Sequence, residues 1–335
     1  MRAIILVGGL GTRLRPLTDN LPKPLVPIAG VPLMTRTLRR LQAQGVREVV
    51  LAVQYLAAAF HKRYGDGAAL GLRLRIVEEP QPLGTAGAVR YAATLAGELS
   101  DGPTLVLNGD ELTTLDVAAL WRHHQTAGGL ATIAVRQVVD PTAFGVVVSD
   151  AAGRVTAFQE KPAAGTALAN TINSGAYVFE RAAIEQIPAA TFAMLERDLF
   201  PQLLADGAII AAYPHSAYSQ DIGTLAGYLA ANAAVLLGQI PGERPLGREV
   251  APGIWAGAGV QIDPAATLVA PTMLGAGTQV GPGVLIERSV LWERVTIESD
   301  ATVRDAVLAT GSRVARATLL VDQAVGSQQN PTIEA

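Results

Sequence analysis

Cysteine is absent from the 335-residue sequence, and lysine occurs only three times among the 26 lysines and arginines. Without cysteine the protein has no disulfide, no thiolate nucleophile and no cysteine-ligated metal. No apolar run is long enough to cross a bilayer, and the apolar stretch before Gly8 is too short for a secretory signal. The net charge of −3 gives no support for nucleic-acid binding. We therefore expect a cytoplasmic protein that binds neither a membrane nor nucleic acid.

Segments with strand-like and helix-like patterns alternate from residue 1 to about residue 237. Strands are predicted at Arg2–Val7, Glu48–Val53, Leu72–Glu78, Thr104–Asn108, Ala131–Val138, Gly145–Val148, Val155–Gln159 and Ala176–Phe179. Helices are predicted at Leu33–Gln44, Leu56–Tyr64, Ala86–Ala96, Phe192–Leu204 and Leu225–Leu237. This alternation predicts an α/β domain with a Rossmann-like, mainly parallel sheet that is covered on both faces.

The composition changes after residue 238. Residues 239–249 (QIPGERPLGRE) are rich in proline, glycine and charge, which is typical of a linker. Beyond it, apolar or small residues recur every six positions, with two steps of five, at Val250, Ala256, Ile262, Leu268, Leu274, Val280, Ile286, Leu291, Ile297, Val303, Leu308, Val314 and Leu320. This period predicts a left-handed, hexapeptide-repeat parallel β-helix. The predicted organisation is a first domain at 1–238, a linker at 239–249, the β-helix at 250–325 and a tail at 326–335.

A glycine-rich loop with three cations directly follows the first predicted strand. The stretch Gly8–Pro24 reads GGLGTRLRPLTDNLPKP and carries Arg13, Arg15 and Lys23. Glycine accepts positive φ and lets backbone N–H groups approach one point, and a lysine ammonium suits a single phosphoryl oxygen. Two of the three lysines, Lys23 and Lys161, stand before proline. The loop therefore predicts a polyphosphate site.

Two aspartates stand at places where a ligand crevice is expected. Asp110 follows the predicted strand that ends at Asn108, and Asp221 lies just before the predicted helix at Leu225. The carboxyl ends of the strands line the crevice of an open α/β sheet, and paired carboxylates suit a divalent cation such as Mg²⁺. A turn at Asp110 and a helix cap at Asp221 would also explain these residues without a metal. From the residues alone both interpretations stay open.

Two further polar clusters lie in the first domain. Glu160 and Lys161, with Asn173–Gly175 downstream, suit a phosphorylated polyol, since carboxylate and amide bind hydroxyls and the ammonium binds phosphate. Glu79 lies in EEPQPLGTAGA, and its carboxylate would pair with the N1–H and N2–H₂ donors of guanine better than with adenine. Without a ligand, the first cluster would consist of ordinary strand-edge residues, and the second would be a pair of solvated surface glutamates.

These segments together resemble the sugar-1-phosphate nucleotidyltransferase family. The matching motifs occur in the order GGLGTRLRPLT, LPKPLVPIAG, EEPQPLGTAGA, LNGD, FGVV, FQEKP, INSGAYVF and DIGT, a combination far more specific than one glycine loop. The repeats after the linker resemble the tail of bacterial mannose-1-phosphate guanylyltransferases and of some glucose-1-phosphate nucleotidyltransferases. The resemblance implies an enzyme that uses a nucleoside triphosphate, a sugar 1-phosphate and Mg²⁺. Glu79 favours GTP, and mannose 1-phosphate is the leading sugar, with glucose and heptose phosphates and other bases as alternatives.

The resemblance also implies roles for individual residues. The nucleotide would be held by Gly8, Gly9, Gly11, Thr12, Arg13, Lys23, Glu79 and Gly84. The sugar phosphate would be held by Gly145, Glu160, Lys161, Asn173 and Gly175. The catalytic residues would be Arg13, Lys23, Asp110 and Asp221, of which the two aspartates would bind Mg²⁺. A sugar-phosphate oxygen would attack the α-phosphorus in line and release pyrophosphate, with no covalent protein intermediate.

Other interpretations are less well supported. Hexapeptide β-helices occur in acyltransferases that use a histidine base on the helix, but all four histidines precede the linker here. A non-catalytic nucleotide-sugar sensor would be expected to lose some of the charged site residues, and all are present. We predict that the tail serves packing or homo-oligomer assembly. His123 and His124 are interpreted as surface residues. Ser174 and Ser219 depart from the family pattern, which has alanine and a large aromatic residue there, and bear on sugar preference.

Overall fold

The computed structural model describes residues 1–9, 11–95 and 102–327. The helices are α1 (Leu33–Ala43), α2 (Ala57–Tyr64), α3 (Gly84–Leu95), α4 (Val117–Ala127), α5 (Arg181–Glu185), α6 (Phe200–Ala205) and α7 (Leu225–Leu236). The strands up to residue 221 are β1 (Arg2–Val7), β2 (Pro27–Ile28), β3 (Val31–Pro32), β4 (Glu48–Val53), β5 (Arg73–Glu78), β6 (Thr104–Asn108), β7 (Glu111–Thr113), β8 (Ala131–Gln137), β9 (Gly145–Ser149), β10 (Val155–Glu160), β11 (Thr171–Phe179), β12 (Ile210–Pro214) and β13 (Ser219–Asp221). The later strands are β14 (Arg248–Ala251), β15 (Ile254–Ala256), β16 (Gln261–Ile262), β17 (Thr267–Val269), β18 (Thr272–Leu274), β19 (Gln279–Val280), β20 (Leu285–Glu287), β21 (Val290–Leu291), β22 (Thr296–Ile297), β23 (Thr302–Arg304), β24 (Val307–Leu308), β25 (Arg313–Val314), β26 (Leu319–Val321) and β27 (Ala324–Val325).

The chain forms two compact units, and the division does not follow the order of the sequence. Of the described residues, the sheet unit comprises 1–9, 38–95, 102–109 and 115–217. The β-helix unit comprises 11–37, 110–114 and 218–327. The short segments 11–37 and 110–114 thus belong with the C-terminal strands, although they precede them by more than a hundred residues. The domain boundaries expected at 238 and 250 stay a prediction, and residues 328–335 of the predicted tail lie outside the described part of the chain.

The sheet unit is built on a nine-stranded mixed sheet. Its main path runs β10-β9-β11-β6-β1-β4-β5, and β8 pairs with both β11 and β12. Strands β6, β1, β4 and β5 are parallel, with Ile5 opposite both Leu51 and Leu107. Strand β11 runs antiparallel to β6, β8 and β9. Strands β1, β4 and β6 are nearly continuous apolar runs, as expected where helices cover both faces of a sheet, whereas β5 at the edge alternates buried and exposed residues. The α/β fold expected from the alternation is confirmed.

Two local predictions in the sheet unit are wrong. The helix expected to begin at Phe192 begins at Leu195 as a π-helical turn and continues as α6, while the Phe192 side chain is exposed. His124 is not a surface residue, because it lies on the buried face of α4 and contacts Thr132 and Glu180 through its two ring nitrogens. Sequence reasoning missed this because a histidine with two partners can be buried like an apolar residue.

The C-terminal strands form three parallel stacks, consistent with a β-helix. The stacks are β15-β18-β21-β24-β27, β16-β19-β22-β25 and β17-β20-β23-β26, and β14 pairs antiparallel with β15. Paired residues are first 18 and then 17 positions apart, as for Ile254 with Thr272 and Val290 with Val307. The predicted six-residue positions from Leu274 onward are buried, whereas Ile262 and Leu268 are half-buried. Val250 is exposed, so its assignment to the repeat is wrong. It lies in β14, which pairs antiparallel with β15 at the end of the first stack.

The turns between these strands repeat one backbone conformation. Positive φ occurs at Gly277 and Gly283 and recurs with the coil period at Arg288, Arg294, Asp300 and Asp305. A left-handed residue makes the sharp corner between short strands, and glycine accepts it at least cost. On the outside of the coils, ion pairs join residues about one coil apart, as between Arg288 and Asp305 at 2.6 Å.

The segment predicted as a linker is bound along the N-terminal part of the β-helix unit. Leu246 N–H donates to Ala29 O at 2.9 Å, next to the β2–β3 hairpin. Arg36 forms a buried ion pair with Glu243 and also donates to Ile28 O. These contacts link the linker segment to the chain that follows Lys23.

Candidate active site

Three charged side chains from distant parts of the sequence meet in the β-helix unit. Lys23 Nζ lies 2.9 Å from Asp110 Oδ2 and 2.8 Å from Asp221 Oδ1. The Lys23 side chain is only 8% exposed, whereas those of Asp110 and Asp221 are 48% and 45% exposed. One buried ammonium therefore holds two half-exposed carboxylates together. Two residues predicted to bind a metal are thus joined through one predicted to act on phosphate.

Local backbone structure explains why these groups meet. Lys23 begins a 3-10 turn, Lys23–Leu25, that is buried along its whole length. Asp110 precedes β7, and Asp221 ends β13. The two strands pair antiparallel with Asp221 opposite Glu111. This pairing brings the aspartates to the same end of the two-stranded ribbon, although they are 111 positions apart in the sequence (221 − 110).

The surroundings of Asp221 keep it ionised. Burial tends to raise the pKa of this carboxyl. The hydrogen bond and charge of Lys23, the Gly223 N–H and the charge of Arg13 outweigh burial and hold the pKa below its usual range. Gly223 N–H donates to Asp221 Oδ1 at 2.7 Å. Asp221 is therefore an anion at neutral pH.

Arg13 and Gly223 complete this cluster. Arg13 Nη2 lies 3.6 Å from Asp221 Oδ2, and its side chain is 68% exposed. A Cβ added to Gly223 would lie 2.8 Å from Arg13 Nη2 and 2.9 Å from Lys23 Nζ, so a side chain there would displace these cations from their present positions. Gly223 was not among the predicted site residues. Its position two residues after Asp221 in DIGT was the signal available.

Two glycines of the glycine-rich loop have positive φ. Gly8 and Gly9 follow β1, where Gly9 N–H donates to Gln54 Oε1 at 3.2 Å, and φ of Gly9 is +98°. Gly11 has a φ of +60° and precedes the 3-10 turn that begins at Thr12. The intervening Leu10 lies outside the described residues. That this loop holds phosphates stays a prediction.

Glu79 is buried rather than solvated. Only 8% of it is exposed, and its Oε2 accepts the Leu83 N–H at 3.1 Å. Burial raises the pKa of this carboxyl, and the Leu83 bond opposes the rise. Gly84 begins α3 with a φ of +70°, and a Cβ there would lie 2.5 Å from Ala193 O. The interpretation of Glu79 as a solvated surface residue is wrong, because the turn into α3 encloses its side chain.

The predicted sugar-phosphate residues Gly145, Glu160 and Lys161 lie together in the sheet unit. Glu160 is opposite Gly145 in the β9–β10 pair, and a Cβ on Gly145 would lie 3.0 Å from Glu160 Oε2. Lys161 follows with a φ of +44°, and its Nζ lies 3.4 Å from Glu160 Oε1. The Lys161 side chain is 63% exposed. This ammonium is open to an incoming anion.

Asn173 and Gly175 form a bulge in β11. Asn173 Oδ1 accepts the Gly175 N–H at 2.9 Å, and its Nδ2 donates to the Tyr177 hydroxyl at 2.7 Å. The pairing of β11 with β8 is interrupted between Asn173 and Tyr177. Gly175 has a φ of +64°, and a Cβ there would lie 2.6 Å from Asn108 Nδ2. The glycine therefore allows β11 to approach the end of β6, where the LNGD motif begins.

Glu196 is a candidate that sequence reasoning missed. It lies on the π-helical turn Leu195–Leu199, and its Oε2 accepts the Thr85 hydroxyl at 3.0 Å. Burial raises the pKa of Glu196, hydrogen bonds and the Lys161 charge oppose the rise, and the Glu160 charge adds to it. Its interaction with both Glu160 and Lys161 places it beside the predicted sugar-phosphate residues. The apolar pattern gave no signal for it, but π-helical turns occur frequently at functional sites.

The family model for nucleotidyl transferases matches residues 2–237. The chain belongs to this family. It is 38% identical over 302 residues to a mannose-1-phosphate guanylyltransferase of Mycobacterium tuberculosis, covering 90% of this chain and 82% of that protein. It is 34% identical to a UTP–glucose-1-phosphate uridylyltransferase of Synechocystis, covering 78% and 70%. The resemblance inferred from the motifs is confirmed.

A solved structure extends the comparison. HddC from Yersinia pseudotuberculosis, in complex with GMP-PN, superposes on this nucleotidyl transferase family member with a TM-score of 0.59 at 29% identity. The match covers 69% of this chain and 97% of HddC.

The donor set of this nucleotidyl transferase family member fits a hard divalent cation at one place. In the described part of the chain, no three histidine, aspartate or glutamate side chains are grouped to hold a metal. Asp110 and Asp221 provide two half-exposed carboxylates held at the same ammonium. Mg²⁺ commonly binds through one or two carboxylates and completes its shell with water and substrate phosphates.

A membrane-spanning helix is also not found within the described ranges. Among the described helices none is long and apolar enough to cross a membrane.

Proposed function

We propose that the chain transfers the guanylyl group of GTP to mannose 1-phosphate and releases a nucleotide sugar and pyrophosphate. The observation that carries this proposal is the buried Lys23 ammonium with Asp110, Asp221 and Arg13 around it, in a member of the nucleotidyl transferase family. The guanylyltransferase name of the Mycobacterium relative supports the choice of substrates.

The proposed reaction is an in-line displacement. A phosphate oxygen of the sugar 1-phosphate attacks the α-phosphorus, the α–β phosphoanhydride bond breaks, and pyrophosphate leaves with the bond's electron pair. Both reactants are anions, so the protein must neutralise charge and align them. In this proposal Lys23 lies at the reacting phosphoryl group and Arg13 binds the leaving pyrophosphate. Asp110 and Asp221 would hold Mg²⁺, which supplies Lewis-acid charge neutralisation when bound.

Recognition is assigned to residues of the sheet unit. Glu79 is proposed to accept hydrogen bonds from guanine, whose N1–H and N2–H₂ are donors where uracil and adenine offer a different pattern. Lys161 is proposed to bind the sugar phosphate and Glu160 the sugar hydroxyls, beside Gly145, Asn173 and Gly175. Gly8, Gly9, Gly11, Thr12 and Gly84 are proposed to give the nucleotide close access to the backbone.

The test is a matrix of pyrophosphate-release assays with Mg²⁺. ATP, GTP, CTP, UTP and dTTP are each combined with mannose, glucose and heptose 1-phosphates. Turnover confined to GTP with mannose 1-phosphate is expected. Turnover with UTP and glucose 1-phosphate, the pair named for the Synechocystis relative, would keep the reaction and overturn the substrates. If the folded protein binds a nucleotide sugar but releases no pyrophosphate with any combination of triphosphate and sugar 1-phosphate, the proposed enzymatic activity is wrong. A nucleotide-sugar sensor would then be favoured.

A further inference from the structure

The β-helix shares one hydrophobic core with the segments that carry the charged cluster. The face formed by Met273, Val290, Trp292, Val307 and Ala309 is buried in this core. Leu14 and Val26, from the segment that carries Arg13 and Lys23, and Leu112 and Ile222, from the two aspartate segments, belong to the same core. The β-helix therefore shares a core with the segments that carry every member of the cluster.

A buried chain of hydrogen bonds runs from the β-helix toward Lys23. Trp292 follows β21, and its Nε1–H donates to the Tyr228 hydroxyl at 3.0 Å. The Tyr228 hydroxyl donates in turn to Pro27 O, four residues after Lys23. Trp292 is 6% exposed and Tyr228 fully buried. Burial also raises the pKa of Tyr228, so its hydroxyl stays protonated and able to donate.

Helix α7 fixes a second point of the same hairpin. Asn232, one turn after Tyr228, accepts the Ala29 N–H at 2.7 Å and donates to Tyr228 O at 2.8 Å. Since Asn232 is also fully buried, the loss of either partner would leave a polar group buried without a hydrogen bond, which would lower the stability of the fold. The β2–β3 hairpin is thus held at Pro27 and at Ala29, directly after the turn that carries the ammonium.

We infer that Trp292 and Tyr228 are positioning residues for Lys23. Through them the β-helix fixes the backbone that places the ammonium between Asp110 and Asp221. The effect on turnover rests on the proposed function; the effect on the Lys23 side chain does not. In this inference the repeats are part of the catalytic framework rather than only a surface for assembly.

The chain offers a matched control. Trp255, in β15, is partly buried in the same core, but its Nε1–H donates to Leu236 O at 3.2 Å and not toward Lys23. Trp292→Phe and Trp255→Phe therefore remove the same atoms and one hydrogen bond each from the same face. Tyr228→Phe removes the hydroxyl between Trp292 and Pro27, and the double variant Tyr228→Phe with Trp292→Phe tests whether both act through one chain.

The first readout is the rate at which each lysine reacts with an amine-directed reagent, measured by mass spectrometry in the intact protein. Only Lys23, Lys62 and Lys161 are present, so two lysines serve as internal references. Trp292→Phe and Tyr228→Phe should each increase the labelling rate of Lys23 about fivefold, because the loss of one buried hydrogen bond changes an equilibrium constant by about that factor. The labelling rates of the two reference lysines should stay unchanged. Trp255→Phe should leave all three rates unchanged. Equal effects of the two tryptophan variants on Lys23 would overturn the inference.

The second readout separates kcat from KM. We expect Trp292→Phe and Tyr228→Phe to lower kcat about fivefold with KM nearly constant, and the double variant to be no slower than Tyr228→Phe. Melting temperatures show whether the variants lost comparable stability. If kcat follows melting temperature across all variants, Trp255→Phe included, the residues are only structural. If the wild-type protein releases no pyrophosphate but the labelling pattern holds, the proposed function fails and the positioning of Lys23 stands.

Discussion

The chain contains two Lys-Pro dipeptides, Lys23-Pro24 and Lys161-Pro162, and their lysine side chains differ in burial and in ion-pair partners. Lys23 is buried in the β-helix unit and contacts two carboxylates at hydrogen-bond distance. Lys161 lies in the sheet unit, mostly exposed, with Glu160 as an ion-pair partner at 3.4 Å. The first ammonium is already held in place, whereas the second is open to an anion. The difference teaches that the same dipeptide can contain a buried, ion-paired lysine at one place and an exposed lysine at another.

The comparison extends to the other predicted site residues. In the β-helix unit, Arg13, Asp110 and Asp221 are ion-paired around Lys23. In the sheet unit, Glu79 is buried beside the turn into α3, and Gly145 and Gly175 allow close approach of neighbouring side chains. The proposed function gives phosphoryl chemistry to the first set and substrate recognition to the second. Five substitutions test that division.

Removal of each ammonium should give the largest contrast. We expect Lys23→Met to lower kcat by a factor on the order of 10²–10³, the loss typical of a fixed group that stabilises transition-state charge. Lys161→Met should mainly raise KM for the sugar phosphate, by about tenfold for a lost charge-assisted hydrogen bond. Steady-state kinetics with varied sugar phosphate measure both. Similar kcat losses in the two variants would remove the distinction.

Neutralising either aspartate should weaken metal activation. We expect Asp110→Asn and Asp221→Asn each to lower kcat about a hundredfold at saturating substrates and to raise the Mg²⁺ concentration needed for half-maximal rate. Asp305→Asn in the β-helix also breaks an ion pair, with Arg288, and serves as the control with unchanged kinetics. The measurement is the reaction rate of each variant as a function of Mg²⁺ concentration. An unchanged Mg²⁺ requirement in both aspartate variants would contradict a metal role.

Glu79 should affect base selection rather than rate. We expect Glu79→Gln to reduce the preference for GTP over UTP about tenfold in kcat/KM, since one charge-assisted hydrogen bond to guanine weakens. Glu78→Gln, at the exposed neighbouring residue, is the matched control. Competition between the two triphosphates measures the ratio directly. A loss of rate with both triphosphates alike would make Glu79 structural.

The smallest expected effect is the pH dependence of stability. The folded-state pKa of Asp221 is lowered, so its ionisation stabilises the fold above its ordinary pKa of about 3.9, and this contribution is lost as the pH falls through the folded-state value. Because Asp221 is almost half exposed, we expect less than about 1 kcal/mol. Urea unfolding of wild type and Asp221→Asn should differ at pH 7 and converge toward pH 3. A difference that grows on acidification would contradict the assignment.

Much of the sheet unit was predictable because its signals are local. The bounds of β1, β4 and β6 agree with the sequence prediction, since each is a short apolar run that ends at glycine or a polar residue. The β-helix was predictable because every coil repeats the same pattern of inward-facing residues. The prediction for Val250 was wrong because this residue has the six-residue spacing of the pattern but lies in β14, outside the coils. The glycine and charge motifs predicted a set of site residues, and three of them, Lys23, Asp110 and Asp221, lie in contact.

What could not be predicted depends on residues far apart in the sequence. Strands β7 and β13 have three residues each, too few for a period, yet their pairing brings Asp110 and Asp221 together. Nothing in the sequence pairs Trp292 with Tyr228, which is 64 positions earlier. Glu196 lies on a π-helical turn that has no recognisable pattern. Each of these features arises from tertiary packing rather than from local preference.

The stack that contains β18, β21, β24 and β27 meets the N-terminal segment at more than one coil. A Cβ on Gly30 would lie 3.0 Å from Cε of Met273 in β18, and a Cβ on Gly326, just after β27, would lie 3.0 Å from Cβ of Pro16. These contacts are three strand spacings apart, roughly 14 Å. In a solenoid each repeat ordinarily contacts only its neighbours. Here an inserted or deleted coil between these points would change their separation by about one strand spacing, so we expect it to break one of the two contacts.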